Sequence, residues 1–559
     1  MSRTQEMAQA VQQQLADAFR DHRVQVTATD SGTEHLAALP DGWIAAAASA
    51  LVLAHPTRRL ELLVTKTTVE PMPEGGAVHV GLAGGAFVQD DGVARITLEP
   101  SHVSDDVAVG RHLWIPSRSL LVEDGAYTFF PLTSPVRKAI GTVYSTAYDR
   151  APLALDTWRQ WRNQRRSVAK DPMVVKASGM AGAGDVRPTL GQGRPTVWVA
   201  MHWLEAGGAE SWAFDAAEAA RDAGFEVVIT VDRSAPQRAL ARALAITPHV
   251  FLAANALANE DWGRFLRAVL ARFDVVALHI HHSARLYAWL PELRHLRPEV
   301  VVLDSTHIVE HRSGGFVRQS VAYSHLIDQH HVISPELRDL YILDSHVRPD
   351  KVAYHPLTHG QKRIADHARV EAAGHPATPL RIGFLGRIAP QKRPFLFIEV
   401  VRRLTRGPRA DRFAFVMQGS GPLEGMLDRQ IARSGVGNRL ERRAWGPAAT
   451  LLADVDVLCV SSDNEGLTLT SLEADEAGVL VVSADVGSQR SLVAPEALLP
   501  ATPHAFLRAA THLLDRLADE PGLFARLRAE QGELVASLRR ERDAESYYTD
   551  FLTELKGRP

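Results

Sequence analysis

The spacing of apolar residues changes character near residue 196. Beyond it, continuous apolar runs alternate with stretches of helical periodicity. Val197–Met201, Glu226–Val231, Val275–His279, Val300–Leu303, Arg381–Leu385, Phe413–Met417, Val455–Val460 and Val479–Ser483 predict strands. Such runs suit parallel strands covered on both faces, and their alternation with helices predicts βαβ units. Ahead of them the pattern differs. Met7, Val11, Leu15 and Phe19 recur every four residues and predict an amphipathic helix, and Ala-rich Trp43–Ala54 predicts a buried one. Leu60–Lys66, Ala77–Leu82, Ala94–Leu98, His112–Ile115, Leu120–Val122 and Tyr127–Pro131 have strand character, separated by Gly, Pro, Asp and Ser. The fold class is thus α/β, with two Rossmann-like domains over 196–358 and 380–559. An antiparallel α+β or β-rich module over 1–178 precedes them. Gly/Pro-dense residues 179–195 and residues 359–379 serve as linkers, and Tyr547, Tyr548 and Phe551 predict a last helix docked back across the interdomain cleft.

Composition narrows the class. The 559 residues are 46% apolar, enough for sizeable cores, and the net charge of −3 gives no bulk attraction to nucleic acid or anionic membrane. Cys459 is the one cysteine and sits in an apolar run, which excludes an internal disulfide framework and suits a reducing compartment. Residues 1–25 are unlike a signal peptide, and Trp43–Ala54 is too short to span a bilayer. The expectation is a cytoplasmic protein, with peripheral contact at the inner membrane face left open. Trp158, Arg159, Trp161, Arg162, Arg165 and Arg166 form a basic, aromatic helical run. It suits a nucleic-acid or membrane surface less well than a helix packing its tryptophans on a neighbouring module.

The chemistry concentrates in Ser461–Gly487. A strand feeds the polar loop Ser461–Gly466, then a helix expected over Leu467–Ala477, with Gly478 as its C-cap. In such units ligands sit beyond the carboxyl end of the strand, where the helix N-terminus favours phosphate. Glu465 and Glu473 are eight residues apart, roughly 12 Å on one helical face. Ionised carboxylates suit hydroxyls, one holding a sugar ring and the other a ribose; alone, the pair could equally be solvated. Arg387 and Lys392, after a strand, can aim two cations at one anion. Gly207-Gly208 after the first strand is weak evidence by itself. The H-x-H-H run His279, His281 and His282 lacks an obvious carboxylate or Cys partner at ligand distance in sequence, which argues against zinc.

Taken together, Gly207-Gly208-Ala209-Glu210, Gly386-Arg387 through Lys392, Gln418-Gly419-Ser420-Gly421-Pro422 and Glu465-Gly466-Leu467-Thr468 through Glu473 resemble the retaining family 4 glycosyltransferases of the GT-B fold. The resemblance covers 196–559 and leaves 1–195 unassigned. It implies two Rossmann-like domains facing a cleft, a nucleotide-diphosphate sugar donor (UDP favoured), no metal or other cofactor, and a glycan, lipid or protein acceptor. It implies catalytic roles for His307, Arg387, Lys392 and Glu465. Donor contacts fall to Gly207, Gly208, Gly466, Leu467, Thr468 and Glu473, with the Trp445-Gly446 turn lining the base. His279 or His281 is then structural or at the acceptor entrance. The chain departs from the family pattern at Arg393 and Thr468, each in place of glycine, at Asp475, and at Leu480 in place of proline. Thr468 could narrow the sugar pocket. Alternatives are an epimerase or phosphorylase on the same cradle, or a non-catalytic sugar-nucleotide-binding scaffold whose N-terminal module drives homo-oligomerisation.

Overall fold

The computed structural model describes residues 3–67, 92–116, 143–166, 193–308, 315–358 and 379–557, apart from positions 29, 104–107, 145, 206, 408, 422 and 521. The expected strands Ala77–Leu82, Leu120–Val122 and Tyr127–Pro131 lie outside them.

The N-terminal module is a four-stranded sheet with helices Arg3–Ala18 and Trp43–Ala54 packed on it. Its strands are β1 (His22–Ala28), β2 (Leu60–Thr67), β3 (Gly92–Pro100) and β4 (Val109–Pro116), in the order β1-β3-β2-β4. The expected antiparallel pattern holds for β1–β3 and β2–β3, but β2 and β4 run parallel, so the sheet is mixed.

Seven parallel strands form the second sheet: β5 (Pro195–Met201), β6 (Glu226–Val231), β7 (Val250–Phe251), β8 (Asp274–His281), β9 (Val301–Thr306), β10 (Gln329–Val332) and β11 (Val352–Tyr354). Their order is β11-β10-β9-β8-β5-β6-β7. Six more parallel strands form the third sheet: β12 (Leu380–Leu385), β13 (Phe413–Gln418), β14 (Leu440–Arg443), β15 (Val457–Val460), β16 (Leu480–Ala484) and β17 (Leu498–Leu499), in the order β14-β13-β12-β15-β16-β17. Strands β9 and β16 are buried along their whole length, as parallel strands covered on both faces must be. Cys459 lies within β15, where burial pushes its thiol up to about 12.

In both parallel sheets the strand order reverses once, between β5 and β8 and between β12 and β15. The loops that diverge there leave a crevice at the carboxyl edge. Those four loops carry Gly207-Gly208, His281-His282, Gly386–Lys392 and Ser461–Gly466.

The N-terminal residues divide between the two cores. Leu15, Trp43, Leu60, Ile96 and Leu113 join the core of the first Rossmann domain. Arg111 donates Nε to Asp261 Oδ2 at 2.6 Å and Nη2 to Oδ1 at 2.8 Å, and His55 Nε2 meets the same carboxylate at 2.8 Å. Burial opposes the Asp261 charge, and the Arg111 and His55 partners override it, holding the carboxyl well below its ordinary range. By contrast, Tyr148 and helix Pro152–Arg166 pack on the second domain, Tyr148 edge-on to Phe395 at 5.9 Å. In that helix Trp158 is exposed while Arg159 is buried, the reverse of a helix that buries its tryptophans. The side chains of Trp161, Arg162, Arg165 and Arg166 lie outside the described residues.

Helix Ala544–Lys556 returns to the first domain. Tyr547 donates to Gln329 Oε1 at 2.6 Å and stacks on His355, while Tyr548 packs edge-on to Trp212.

Candidate active site

Lys392 closes a short turn, Pro390–Lys392, after β12, and its Nζ donates to Glu465 Oε1 at 2.5 Å. Ser462 Oγ donates to the same oxygen at 2.5 Å. The Glu465 side chain is only 7% exposed, so this pairing is what allows its charge inside. Backbone bonds stitch the two loops together: Asp463 N–H donates to Gln391 O at 2.7 Å, and Gln391 Nε2 donates to Asn464 O at 3.0 Å. Arg387, half-buried one residue after Gly386, has no ion-pair partner among the described residues.

The helix of this unit spans Leu469–Glu476, shorter than the expected Leu467–Ala477. Glu465 therefore lies in the loop, and the two glutamates do not share one helical face. Gly466 and Leu467 form the entry and Thr468 the N-cap, with its Oγ1 accepting from Gln489 Nε2 at 2.6 Å. Thr468 is thus tied into the second domain by its own partner. Ala477 is the C-cap, and Gly478, expected there, follows it at φ +74° in the left-handed position that favours glycine. Glu473 lies half-buried on the helix, and its Oε2 is buried without a partner among the described residues. Burial, reinforced by Glu476, pushes its carboxyl up to about 7.

The facing domain meets this loop directly. Gly466 and Ile308 form an antiparallel bridge, and a Cβ on Gly466 would fall 1.7 Å from His307 O. Only the absence of a side chain permits that approach. His307 N–H donates to His282 Nε2 at 3.2 Å, whereas both its ring nitrogens are buried without a partner among the described residues. The His281 ring lies nearly parallel to it with centroids 5.9 Å apart, also without hydrogen-bond partners among the described residues. Burial and the surrounding imidazoles hold His307 and His281 well below the ordinary histidine value, so both are neutral. His279 instead belongs to a structural chain: its Nε2 meets Ser305 Oγ at 2.9 Å, and that hydroxyl meets His331 Nδ1 at 2.8 Å.

Gly207 and Gly208 open the first helix of the facing domain. A Cβ on Gly208 would come 3.1 Å from Leu469 Cδ1, so the glycine loop abuts the start of the Glu473 helix. Behind it, Glu210 Oε1 accepts from Trp203 Nε1 at 2.6 Å and pairs with His202 at 3.2 Å. Despite its burial, those partners bring the carboxyl down to about 2. Two further seams join the domains: Ser488 Oγ donates to Ser334 Oγ at 2.7 Å and Ser491 Oγ to Glu336 Oε1 at 2.8 Å. Trp445 is exposed beyond β14, and the carbonyl of Gly446 accepts from Gln418 Nε2 at 3.1 Å.

Sequence reasoning missed the anchoring behind the loops. Arg393, at φ +48° and ψ +53°, is fully buried and reaches Asp156, Asp463 and the Ala501 carbonyl. The one local signal was an arginine where the resembled motif has glycine. Among the described residues no three His, Cys, Asp or Glu side chains converge on a metal position, and no helix is long and apolar enough to cross a membrane.

Residues 379–516 match the model of the glycosyl transferases group 1. The second Rossmann domain is a group 1 glycosyl transferase domain. A D-inositol 3-phosphate glycosyltransferase of Stackebrandtia nassauensis is 32% identical over 270 residues, covering 44% of this chain and 54% of the relative. The chain spans about half the length of that curated relative. Among solved structures, Anabaena HepE in complex with UDP-glucose is 14% identical over 65% of this chain and 99% of its own, with a TM-score of 0.48. A glycosyltransferase from Rickettsia africae is 13% identical over 65% and 98%, with a TM-score of 0.49. Within the glycosyl transferase domain lie Arg387, Lys392, Arg393, Glu465, Gly466, Leu467, Thr468 and Glu473. His307 and the Gly207-Gly208 loop come from outside the matched residues.

Proposed function

We propose that this chain transfers a hexosyl unit from a nucleotide-diphosphate sugar, UDP favoured, to an acceptor hydroxyl with retention of configuration. The observation that carries the reading is the Lys392–Glu465 pair, set at the switch point of the third sheet and joined through Gly466 to Ile308 and the His307 carbonyl, just beyond β9 of the facing sheet. Breaking the anomeric C–O bond leaves negative charge on the departing diphosphate and positive charge on the sugar. Arg387, Lys392 and the amides of Gly466, Leu467 and Thr468 would take up the former. Preorganised donors of this kind are usually the largest catalytic contribution.

Glu465, held by Lys392 and Ser462, would accept sugar hydroxyls, and Glu473 would accept those of the ribose. Neutral His307 would support the sugar as charge develops. Glu465 is already engaged by two donors, which favours same-face displacement over a covalent glycosyl-enzyme. The acceptor oxygen bonds to the anomeric carbon as the phosphate oxygen leaves, and the acceptor proton passes to the diphosphate. The acceptor is a glycan, lipid or protein hydroxyl; an inositol phosphate, after the name of the curated relative, is one candidate to assay.

Calorimetric titration against UDP, GDP, ADP and their hexose conjugates tests the reading. One family of ligands should bind, with affinity lost in Lys392→Ala and Glu473→Ala. No binding to any of them would overturn it in favour of a scaffold role.

A further inference from the structure

Behind the donor loop lies a closed ring of four charges. Arg393 Nε approaches Asp156 Oδ2 at 2.7 Å, and its Nη2 donates to Asp463 Oδ1 at 2.5 Å. Arg159 Nη2 donates to Asp463 Oδ2 at 3.2 Å, and its Nε lies 3.7 Å from Asp156 Oδ1. Each carboxylate thus bridges both guanidiniums. Asp156 and Arg393 are 0% exposed and Arg159 3%. Charges so placed depend on one another, since removing one leaves another buried and unpaired.

The ring joins three separate stretches of chain. Asp156 and Arg159 come from helix Pro152–Arg166, outside both parallel sheets. Arg393 immediately follows Lys392, and Asp463 stands two residues before Glu465. Ser461 Oγ donates to the carbonyls of Lys392 and Arg393 at 2.9 and 3.1 Å, so both loops move with the ring. Arg393 holds a left-handed backbone that glycine adopts freely and a side chain resists. An arginine there is explained by what its guanidinium reaches.

We infer that Asp156 and Arg159 are positioning residues of the donor site, fixing the Lys392–Glu465 pair through Arg393 and Asp463 from a helix outside both Rossmann domains. In its effect on ligand affinity this rests on the nucleotide-sugar reading; in its effect on the loop it does not. The Asp149 carboxylate, paired with Arg429 at 3.0 Å, clamps the preceding turn to the same domain and leaves the helix anchored when the ring is broken.

The test is amide hydrogen exchange on the full chain with Asp156→Asn, followed by donor titration. Exchange at 461–466 should speed up about tenfold while β12 and β15 stay protected, and donor affinity should fall about tenfold. Arg393→Gly suits that left-handed backbone, provides a second variant should Asp156→Asn fail to fold, and should give the same pattern. The double variant should be no worse than the more severe single one, because both break one ring. Faster exchange confined to 152–166, with the loop unchanged, would overturn the inference. So would additive losses in the double variant. If wild-type protein binds no nucleotide sugar, the functional reading fails while the exchange result still decides the positioning role.

Discussion

Gly466 lies against the His307 carbonyl so closely that a Cβ would stand 1.7 Å from that oxygen. Backbone from each domain thus meets directly at this point of the cleft. Substituting Gly466→Ala must push the domains apart at that point. A misplacement of about 1 Å costs on the order of 10²-fold in rate, so transfer should fall by at least that much. The second domain should remain folded, and nucleotide affinity should change less than turnover. Steady-state kinetics beside small-angle scattering checks this; unchanged turnover would mean that the contact is not part of the working state.

Lys392 supplies the charge nearest Glu465. Lys392→Ala should lower turnover by about 10²–10³-fold. It also leaves a buried carboxylate with only Ser462 as donor, so a modest drop in melting temperature should accompany the loss. Adding Glu465→Gln should recover the melting temperature without the turnover, a pattern that separates the two roles.

Glu473 links the site to pH. Its folded-state value of about 7 lies above the ordinary glutamate range because of burial and Glu476. A raised acid contributes stability at low pH that is lost as pH rises through the folded value. The free protein should therefore lose stability between pH 5 and 7, and Glu473→Gln should flatten that dependence. If the ionised form binds ribose hydroxyls, affinity at pH 8 should be about tenfold tighter than at pH 6. Titrations in two buffers of different ionisation enthalpy should reveal the released proton; none in the wild type would remove Glu473 from the ribose.

Asp261 holds the N-terminal sheet to the first domain through Arg111 and His55. Asp261→Ala leaves the His55 ring without this partner and the Arg111 guanidinium with only Glu260 and the Gly110 carbonyl, a loss of about 3 kcal/mol. Limited proteolysis should then cut within residues 3–116 far faster than in the wild type, while the second Rossmann domain resists as before. Equal cleavage rates would show that apolar packing alone holds the sheet.

Much of the architecture was legible because parallel strands announce themselves as buried runs. Strand β1 escaped notice because His22–Ala28 carries two valines among polar residues and buries only Val24 fully. The expected single face for Glu465 and Glu473 failed for a local reason. The chain does not turn helical until Leu469, and Gly466 and Thr468 are spent on the domain contact and the cap.

The sequence by itself determined the order of strands and helices along the chain and which loops carry the motifs. Through the motifs in those loops and the family they resemble, Gly207, Gly208, Arg387, Lys392, Glu465 and Glu473 could be named before any coordinates. Only the tertiary structure decided what each charge meets. Arg159 looked like one of a run of surface cations, yet its partner Asp463 is 304 positions away. Arg393 looked like a lapse from a motif and is the hub of a buried ring. Apolar periodicity is a local property that the chain writes openly, whereas an ion pair depends on a few ångströms of space between distant segments, which only packing sets.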